Sequence, residues 1–458
     1  MQPTLTVSLV DGARVVVPDT LDLITPYVLQ EQRDWFEDEI RFLRRLLRPG
    51  QQVIDIGASY GVYTLSMARA VGREGRVWAF EPASGTAELL AAGIAANGFT
   101  QVNVERSALS SAGGSARLSL QANPEMNALV RGADTAGAAE TVPVTTLDAC
   151  LDSRAWRDIE FVKIDAEGEE AAILQGGAGF FTRESPLVQY EIKAGSELHL
   201  DLIEAFAALG YRSYRLVPGL GLLAPFDAAA PVDGYLLNLF CCKPDRAARL
   251  AAAAFLVDDG GHGAAGAQDW LATLASLPYA APLAARWRQT LAAGNSRELE
   301  AALALHAASR DATRLAAERY AALEAAFAGL RSLVGREPSH LRLASLARVA
   351  GDYGARQEAV MALARLGESL EQRGGADTAE PFLAPGQRFD SVPPRGALED
   401  WVLAAVLEEF ERASSYSSFY TGVTAQQRLE LIRRLGYGSA EMQRRLDLLQ
   451  RRFGLPQG

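Results

Sequence analysis

Two hydrophobic periods take turns along the first half of the chain. Residues 5–17 alternate apolar and polar positions around Asp11-Gly12, the pattern of a β-hairpin closed by a tight turn. Over residues 34–47, Phe36, Ile40, Leu43 and Leu47 recur at helical spacing, and Pro49-Gly50 stops that helix. Val53, Ile54 and Ile56 then flank Asp55 in a buried strand, Gly57 and Gly61 open a turn, and the pattern predicts a helix over 63–70. The alternation continues with a strand at 77–80, a helix over 86–96 stopped by Asn97-Gly98, and a strand at 102–106. Residues 111–139 are rich in Gly, Ala, Ser and Asn with no clear period, and read as strand fragments plus a mobile loop containing 123–127. A short strand and a helix follow over 142–151, then a strand at 159–164 whose helix ends at Leu174 before Gly176-Gly177. A strand at 187–192 and a helix over 202–209 complete the series, and two strands, 211–217 and 235–242, are joined by the turn-rich segment 218–233. Strands alternating with helices predict a doubly wound α/β fold with a mostly parallel sheet.

Beyond Pro244 the strand signal stops, and Ala, Leu and Arg recur at helical spacing. Residues 258–266 read as a linker rich in Gly and Ala, and 374–394 as a Gly- and Pro-rich connector to helices at 398–412, 424–435 and 439–452. Within 341–370, Leu343, Leu346, Ala347, Gly354, Ala359 and Leu363 fall where a tetratricopeptide unit has its packing residues. The run SSYSSFY at 414–420 reads as a packed aromatic turn rather than a recognition loop. The expected division is a hairpin and lead-in at 1–33, an α/β domain at 34–244 and an all-α domain at 245–458.

The candidate chemistry lies at the strand ends, where open parallel sheets bind ligands. In VIDIGASYGVYTL, at 53–65, the first glycine permits a tight turn and a close approach of the backbone to a ligand, and the helix start offers unpaired N–H groups. Glu81, at the end of the next strand, is placed to accept hydrogen bonds from a ribose diol. Nicotinamide and S-adenosylmethionine sites share that logic, but the spacing here is G-x-x-x-G rather than the pyrophosphate-cradling G-x-G-x-x-G. With the closing pair of strands, this favours adenosylmethionine. Asp55, Gly57, Ser59, Gly61, Glu81 and Ala108 are the candidate cofactor contacts, Ala108 with core packing as its equal alternative. At the end of the fourth strand, Asp165 and Glu167 are the candidate catalytic pair, with Lys163 on the same face as Asp165 and Glu191 at the same rim. His199 is a further candidate base, and Trp35 and Glu37 are candidates to border the pocket. A carboxylate becomes a useful base at neutral pH when burial or like charges raise its pKa from about 4. The same carboxylates could instead hold a divalent cation, a reading not favoured here.

Composition narrows the partners. The chain has 458 residues, 49% of them hydrophobic, enough for two domains, and a formal net charge of −11 that argues against nucleic acid or an anionic membrane surface as main partner. Three cysteines and four scattered histidines suggest neither a disulfide framework nor a zinc site. No stretch of 18 apolar residues and no signal-peptide pattern occurs, so a cytoplasmic location without a membrane span is expected.

The chain resembles the FkbM family of adenosylmethionine-dependent methyltransferases. The resemblance rests on VIDIGASYGVYTL at 53–65, VWAFEP at 77–82, TLDACL at 146–151 and FVKIDAEGEE at 161–170, supported by GYRSY and NLFCCK, and it spans about 34–243. It implies a class I, Rossmann-like methyltransferase fold, a mostly parallel seven-stranded sheet with a closing antiparallel strand, followed here by the helical region. It also implies methylation of hydroxyls on sugars, glycans or secondary metabolites. Ser59 departs from the family pattern, which carries Asn in its GAN-x-G turn. The expected partners are a small-molecule or glycan hydroxyl acceptor and, through the helical region, another protein. Rival readings are an NAD-dependent oxidoreductase and a non-catalytic scaffold with a partner-binding helical domain.

Overall fold

The computed structural model describes residues 3–130, 137–194, 197–258, 266–267, 269–294, 296–373 and 376–454. It divides into two units: residues 1–216, 223–231 and 236–253 form the first, and residues 217–222, 232–235 and 254–458 the second. Most of the expected linker at 258–266 and the Gly374-Gly375 pair lie outside the described residues.

The first unit opens with the antiparallel hairpin β1 (Thr4–Ser8) and β2 (Arg14–Pro18). Helices α1 (Ile24–Gln32) and α2 (Asp38–Leu46) follow. Arg44 of α2 bonds Asp34 through both terminal nitrogens (2.7 and 2.8 Å) and pairs with Asp11 of the hairpin turn at 2.9 Å, so charged groups fix the hairpin to the helix. Then come β3 (Gln52–Ile56), α3 (Val62–Val71), β4 (Arg76–Phe80), α4 (Ser84–Asn97) and β5 (Val102–Glu105). Strands β6 (Ala108–Leu109), β7 (Gly114–Ser119), β8 (Ala128–Leu129) and β9 (Ala139–Thr145) make a small separate sheet, ordered β6-β9-β7-β8. Residues 111–139 therefore hold more strand than their composition suggested. Thr146 caps α5 (Leu147–Ser153) by accepting from the Ala149 N–H at 3.1 Å.

After it come β10 (Ile159–Ile164), α6 (Glu170–Gln175), α7 (Ala178–Arg183) and β11 (Leu187–Glu191). A short pair, β12 (Lys193–Ala194) and β13 (Glu197–Leu198), precedes α8 (Asp201–Ala208). Strands β14 (Arg212–Val217), β15 (Leu222–Pro225) and β16 (Asn238–Cys242) finish the sheet, and α9 (Pro244–Ala252) ends the unit. The main sheet is ordered β15-β14-β16-β11-β10-β3-β4-β5. Strands β11, β10, β3, β4 and β5 are parallel, whereas β16 is antiparallel to both β11 and β14. The seven-strand arrangement expected of a class I methyltransferase is present, and β15 extends it to eight strands. Its apolar filling includes Ile54, Ile56, Val162, Ile164, Val188 and Tyr190, each at most 2% exposed, so the charged strand-end residues project from a closely packed base.

The second unit is helical: α10 (Trp270–Ala275), α11 (Ala284–Ala292), α12 (Arg297–Arg310), α13 (Ala316–Arg336), α14 (His340–Tyr353), α15 (Arg356–Arg373), α16 (Leu398–Ser414), α17 (Ser418–Thr421), α18 (Gln426–Arg434) and α19 (Ala440–Phe453). Helices α12 to α16 pack each against the next. Gly354, at φ +92°, ends α14 in the left-handed conformation that a glycine accepts at low cost. In the 414–420 run, the Arg356 guanidinium lies 4.2 Å from the Tyr416 ring centroid and donates to the Ala413 and Arg412 carbonyls, closing the end of α16. No helix among the described residues is long and apolar enough to cross a membrane.

Candidate active site

Two loops meet at the carboxyl end of the sheet. The Gly57 and Ala58 N–H groups both donate to the Phe80 carbonyl, at 3.1 and 3.0 Å, which ties the turn after β3 to the end of β4. Gly57 has φ +78°, and a Cβ there would overlap the Asp165 carbonyl oxygen and lie 2.8 Å from its carbon. The side of Gly57 where a Cβ would stand is thus closed by the backbone at the end of β10. Gly61, at φ +87°, is the N-cap of α3. Ser59 takes φ +48°, a left-handed conformation that suits Asn better than Ser. Its N–H donates to one oxygen of Glu81 and the Ala83 N–H to the other, both at 2.9 Å. Burial pushes the Glu81 carboxyl up to about 7, although both N–H groups pull it down.

Asp55, fully buried, accepts from the Thr64 hydroxyl at 2.5 Å through one oxygen, while its Oδ1 has no hydrogen-bond partner. The Ser59 hydroxyl is also buried and unpartnered. Orphaned acceptors beside a strand-end carboxylate fit a ligand that brings donors, as the ammonium and ribose hydroxyls of adenosylmethionine do. Each Glu81 oxygen keeps a second lone pair for a ribose hydroxyl. Asp55 and Ser59 would hold the polar tail, and Glu81 the ribose. Ala108 is packed into a small cluster with Ala83, Leu118 and Val142, so its side chain is a core contact.

Next to this half lies a row of charge. In register, Asp55 of β3, Lys163 of β10 and Gln189 of β11 stand side by side. The Lys163 ammonium is 2.7 Å from Asp165 Oδ2 and 4.9 Å from the Tyr63 ring centroid. Burial works against the lysine's charge, but Asp165, Asp55 and Glu37 together outweigh it and hold the ammonium well above its ordinary pKa. The Tyr63 hydroxyl donates to Glu37 and accepts from Gln189 at 3.4 Å. Burial raises Glu37, against the opposing effects of Lys163 and Tyr63, and Trp35 also hydrogen-bonds it. Glu167, at φ +48°, is exposed to solvent. Burial, then the charges of Asp165 and Glu170, raise it to about 7. Burial and the charges of Asp165, Glu167 and Glu37 raise Glu191 further still.

The carboxylates Asp165, Glu167, Glu191 and Glu37 thus influence one another electrostatically. His199 does not join them: its N–H donates to the Ile192 carbonyl at 2.8 Å, and its imidazole makes no hydrogen bond or ion pair among the described residues. Gln189, Tyr63 and Glu125 are the additions that sequence reasoning missed. Gln189 announces itself as a polar residue inside an apolar strand. Glu125 carries no local signal; its carboxylate accepts from the N–H and hydroxyl of Thr25 in the first turn of α1, which has no side-chain cap of its own. Burial raises Glu125 to about 7, and it acts electrostatically on Tyr60 and Glu167. Among the described residues, no three His, Cys, Asp or Glu side chains converge as a metal-ligand set.

Residues 55–213 match the family described as Methyltransferase FkbM domain. This stretch is an FkbM methyltransferase domain. S-adenosylmethionine is the cofactor of such a domain. Comparison with curated proteins gives no match. Among solved structures, the FkbM methyltransferase from Methylobacillus flagellatus KT is 15% identical, with 44% of this chain and 50% of that chain covered and a TM-score of 0.29. A SAM-dependent O-methyltransferase from Thermotoga maritima is 14% identical, covering 53% and 78%, TM-score 0.26. An O-methyltransferase from Bacillus cereus in complex with SAH is 14% identical, covering 45% and 80%, TM-score 0.27.

The FkbM domain's Glu81 offers a direct test. Glu81→Ala should weaken adenosylhomocysteine roughly 10- to 150-fold, the range expected for a charge-assisted hydrogen bond of about 1.5–3 kcal/mol. An ionised carboxylate is the stronger acceptor for a ribose hydroxyl, so with Glu81 in that role wild-type affinity should rise as the pH climbs through about 7, and that dependence should flatten in the variant. Calorimetry across this range checks both; an unaltered affinity in the variant would remove Glu81 from the site.

Proposed function

We propose that the protein transfers the methyl group of S-adenosylmethionine to a hydroxyl oxygen of a sugar, glycan or secondary metabolite. The observation that carries this reading is the placement of Asp165 and Glu167 directly after β10, where the Asp165 carbonyl meets Gly57 of the turn between β3 and α3; burial and the charges of Asp165 and Glu170 raise the Glu167 carboxyl to about 7. A general base is most effective when its pKa lies near the working pH. Bound adenosylmethionine supplies a methyl group already activated by its sulfonium. The chain's own residues then have to orient the acceptor and remove its proton. Asp165, fixed by Lys163, is positioned to accept a hydrogen bond from the acceptor hydroxyl and aim its oxygen, while Glu167 takes the proton.

The helical second unit is proposed to recruit the acceptor or a protein that carries it, since helices packed in succession present an extended surface. The decisive experiment incubates the full chain with labelled adenosylmethionine and panels of glycans and small polyols. Nuclear magnetic resonance of the product should show the new methyl on oxygen. Transfer confined to nitrogen or carbon would overturn the O-methyl assignment.

A further inference from the structure

Of the chain's 45 lysines and arginines, three are lysines, at 163, 193 and 243, so the cation buried in the site is of the less common kind. A lysine is a point charge with three donors on a flexible stem, where arginine would present a rigid fork. The Lys163 ammonium meets Asp165 Oδ2 at 2.7 Å, and the other Asp165 oxygen makes no hydrogen bond among the described residues. A stem of that length needs a reason to stay with one acceptor. Glu37 is the rival, since it too acts on the ammonium electrostatically. It stands at the N-cap of α2, yet its side chain does not cap that helix. The Tyr63 hydroxyl donates to it instead. The Tyr63 ring is buried and faces the ammonium, with 4.9 Å from Nζ to the ring centroid. Gln189, 0% exposed and beside Lys163 in register, donates its Nε2 to the same hydroxyl at 3.4 Å. A hydroxyl has one proton, and with Gln189 donating to its oxygen that proton is left for Glu37.

We infer that Tyr63 is a positioning residue for methyl transfer: its hydroxyl occupies Glu37 and its ring closes one side of the ammonium, so Lys163 stays on Asp165 Oδ2 and leaves the other oxygen to the acceptor hydroxyl. This rests on the methyltransferase reading above and adds the means by which Asp165 is aimed. Gln189 supports Tyr63 by setting the direction of the hydroxyl proton. Neither residue has to touch the acceptor or the cofactor to do this, because both act through Lys163.

The test compares Tyr63→Phe with the double variant Tyr63→Phe/Glu37→Gln in the full chain. Phenylalanine keeps the ring but frees Glu37 to draw Lys163 away from Asp165. With labelled adenosylmethionine and a panel acceptor that the wild type methylates, Tyr63→Phe should lower kcat about 10- to 100-fold, the scale of a misplaced reacting group. The acceptor KM and the adenosylhomocysteine affinity should stay within a few fold, the latter showing the variant folded. Adding Glu37→Gln removes the rival charge and should restore most of the lost kcat, which relief of a merely structural defect would not do. A second readout needs no acceptor. Isotope labelling of the three lysines lets magnetic resonance follow the Lys163 side chain, assigned by its loss in Lys163→Arg. That signal should move in Tyr63→Phe, move less in Gln189→Leu, and return towards its wild-type position in the double variant. Wild-type kcat in Tyr63→Phe, an unmoved Lys163 signal, or a loss that Glu37→Gln fails to restore would overturn the inference and leave the methyltransferase reading intact. Failure of adenosylhomocysteine to bind the wild-type chain, or of the wild type to methylate any panel member, would overturn the reading beneath it, and this inference too.

Discussion

Glu167→Gln should lower the rate of methyl transfer by about 10²- to 10⁴-fold, the usual size of a general-base contribution, with adenosylhomocysteine affinity changed by no more than a few fold. The amide keeps the size of the side chain but accepts no proton at neutral pH. In the wild-type protein, turnover should rise about tenfold per pH unit below the Glu167 pKa of about 7 and level off above it, because the ionised form is the base. That inflection should vanish in the variant, leaving a flat, slow profile. A merely structural role would lower the rate without removing the inflection, so the pH profile distinguishes the two. Asp165→Asn is expected to act differently: it removes the charge that helps raise both Glu167 and Glu191, so the surviving inflection should move to lower pH. Unchanged turnover and an unchanged inflection in Glu167→Gln would take Glu167 out of the reaction.

What could be read from the sequence follows from how local each feature is. The strand-turn-helix at 53–65 was legible because its apolar run, two glycines and helix start all lie within one short stretch. The same holds for Glu81 and for Asp165 and Glu167, which follow strands rich in apolar residues. Strand β15 was hidden because Leu222–Pro225 is four residues long, too short to show alternation, and sits among the glycines and prolines of a segment that reads as turn. Helix α1 was missed for a related reason: Pro26 stands in its first turn, where proline is tolerated, yet it interrupts the periodic pattern. In the small sheet, β7 (GSARLS) is built largely from Gly, Ala and Ser, with little apolar contrast between its faces. The pairing of distant residues left no sequence signal. Glu125 reaches Thr25 across one hundred positions, and Gln189 meets the Tyr63 hydroxyl across 126.

Gly57→Ala is expected to be the most damaging conservative change in the first unit, and the reason differs from the one its motif suggests. At φ +78° an L-residue costs about 1–2 kcal/mol, and overpacking into a close contact adds about 1–3 kcal/mol, so about 2–5 kcal/mol is expected in total. That is a large share of the roughly 5–15 kcal/mol that holds a typical protein folded. What makes the site unforgiving is the identity of the neighbour. The obstructing atoms are the carbonyl group of Asp165, which belongs to the backbone at the end of β10 and is held by the Asp165 N–H donating to the Ile56 carbonyl at 3.1 Å. Relief therefore has to move β10 away from β3 and carry Asp165 and Lys163 with it. Gly61 supplies the control, because it has nearly the same backbone, φ +87°, but its added Cβ would meet the end of the Leu90 side chain and not backbone. Gly61→Ala should cost nearer to the backbone term of about 1–2 kcal/mol and keep measurable adenosylhomocysteine binding. Thermal melting and calorimetry on the two variants check the contrast, with Gly57→Ala expected to lose both melting temperature and cofactor affinity by the wider margin. If Gly57→Ala melts and binds like the wild type, the turn and the end of β10 are not in the contact on which the charged rim depends.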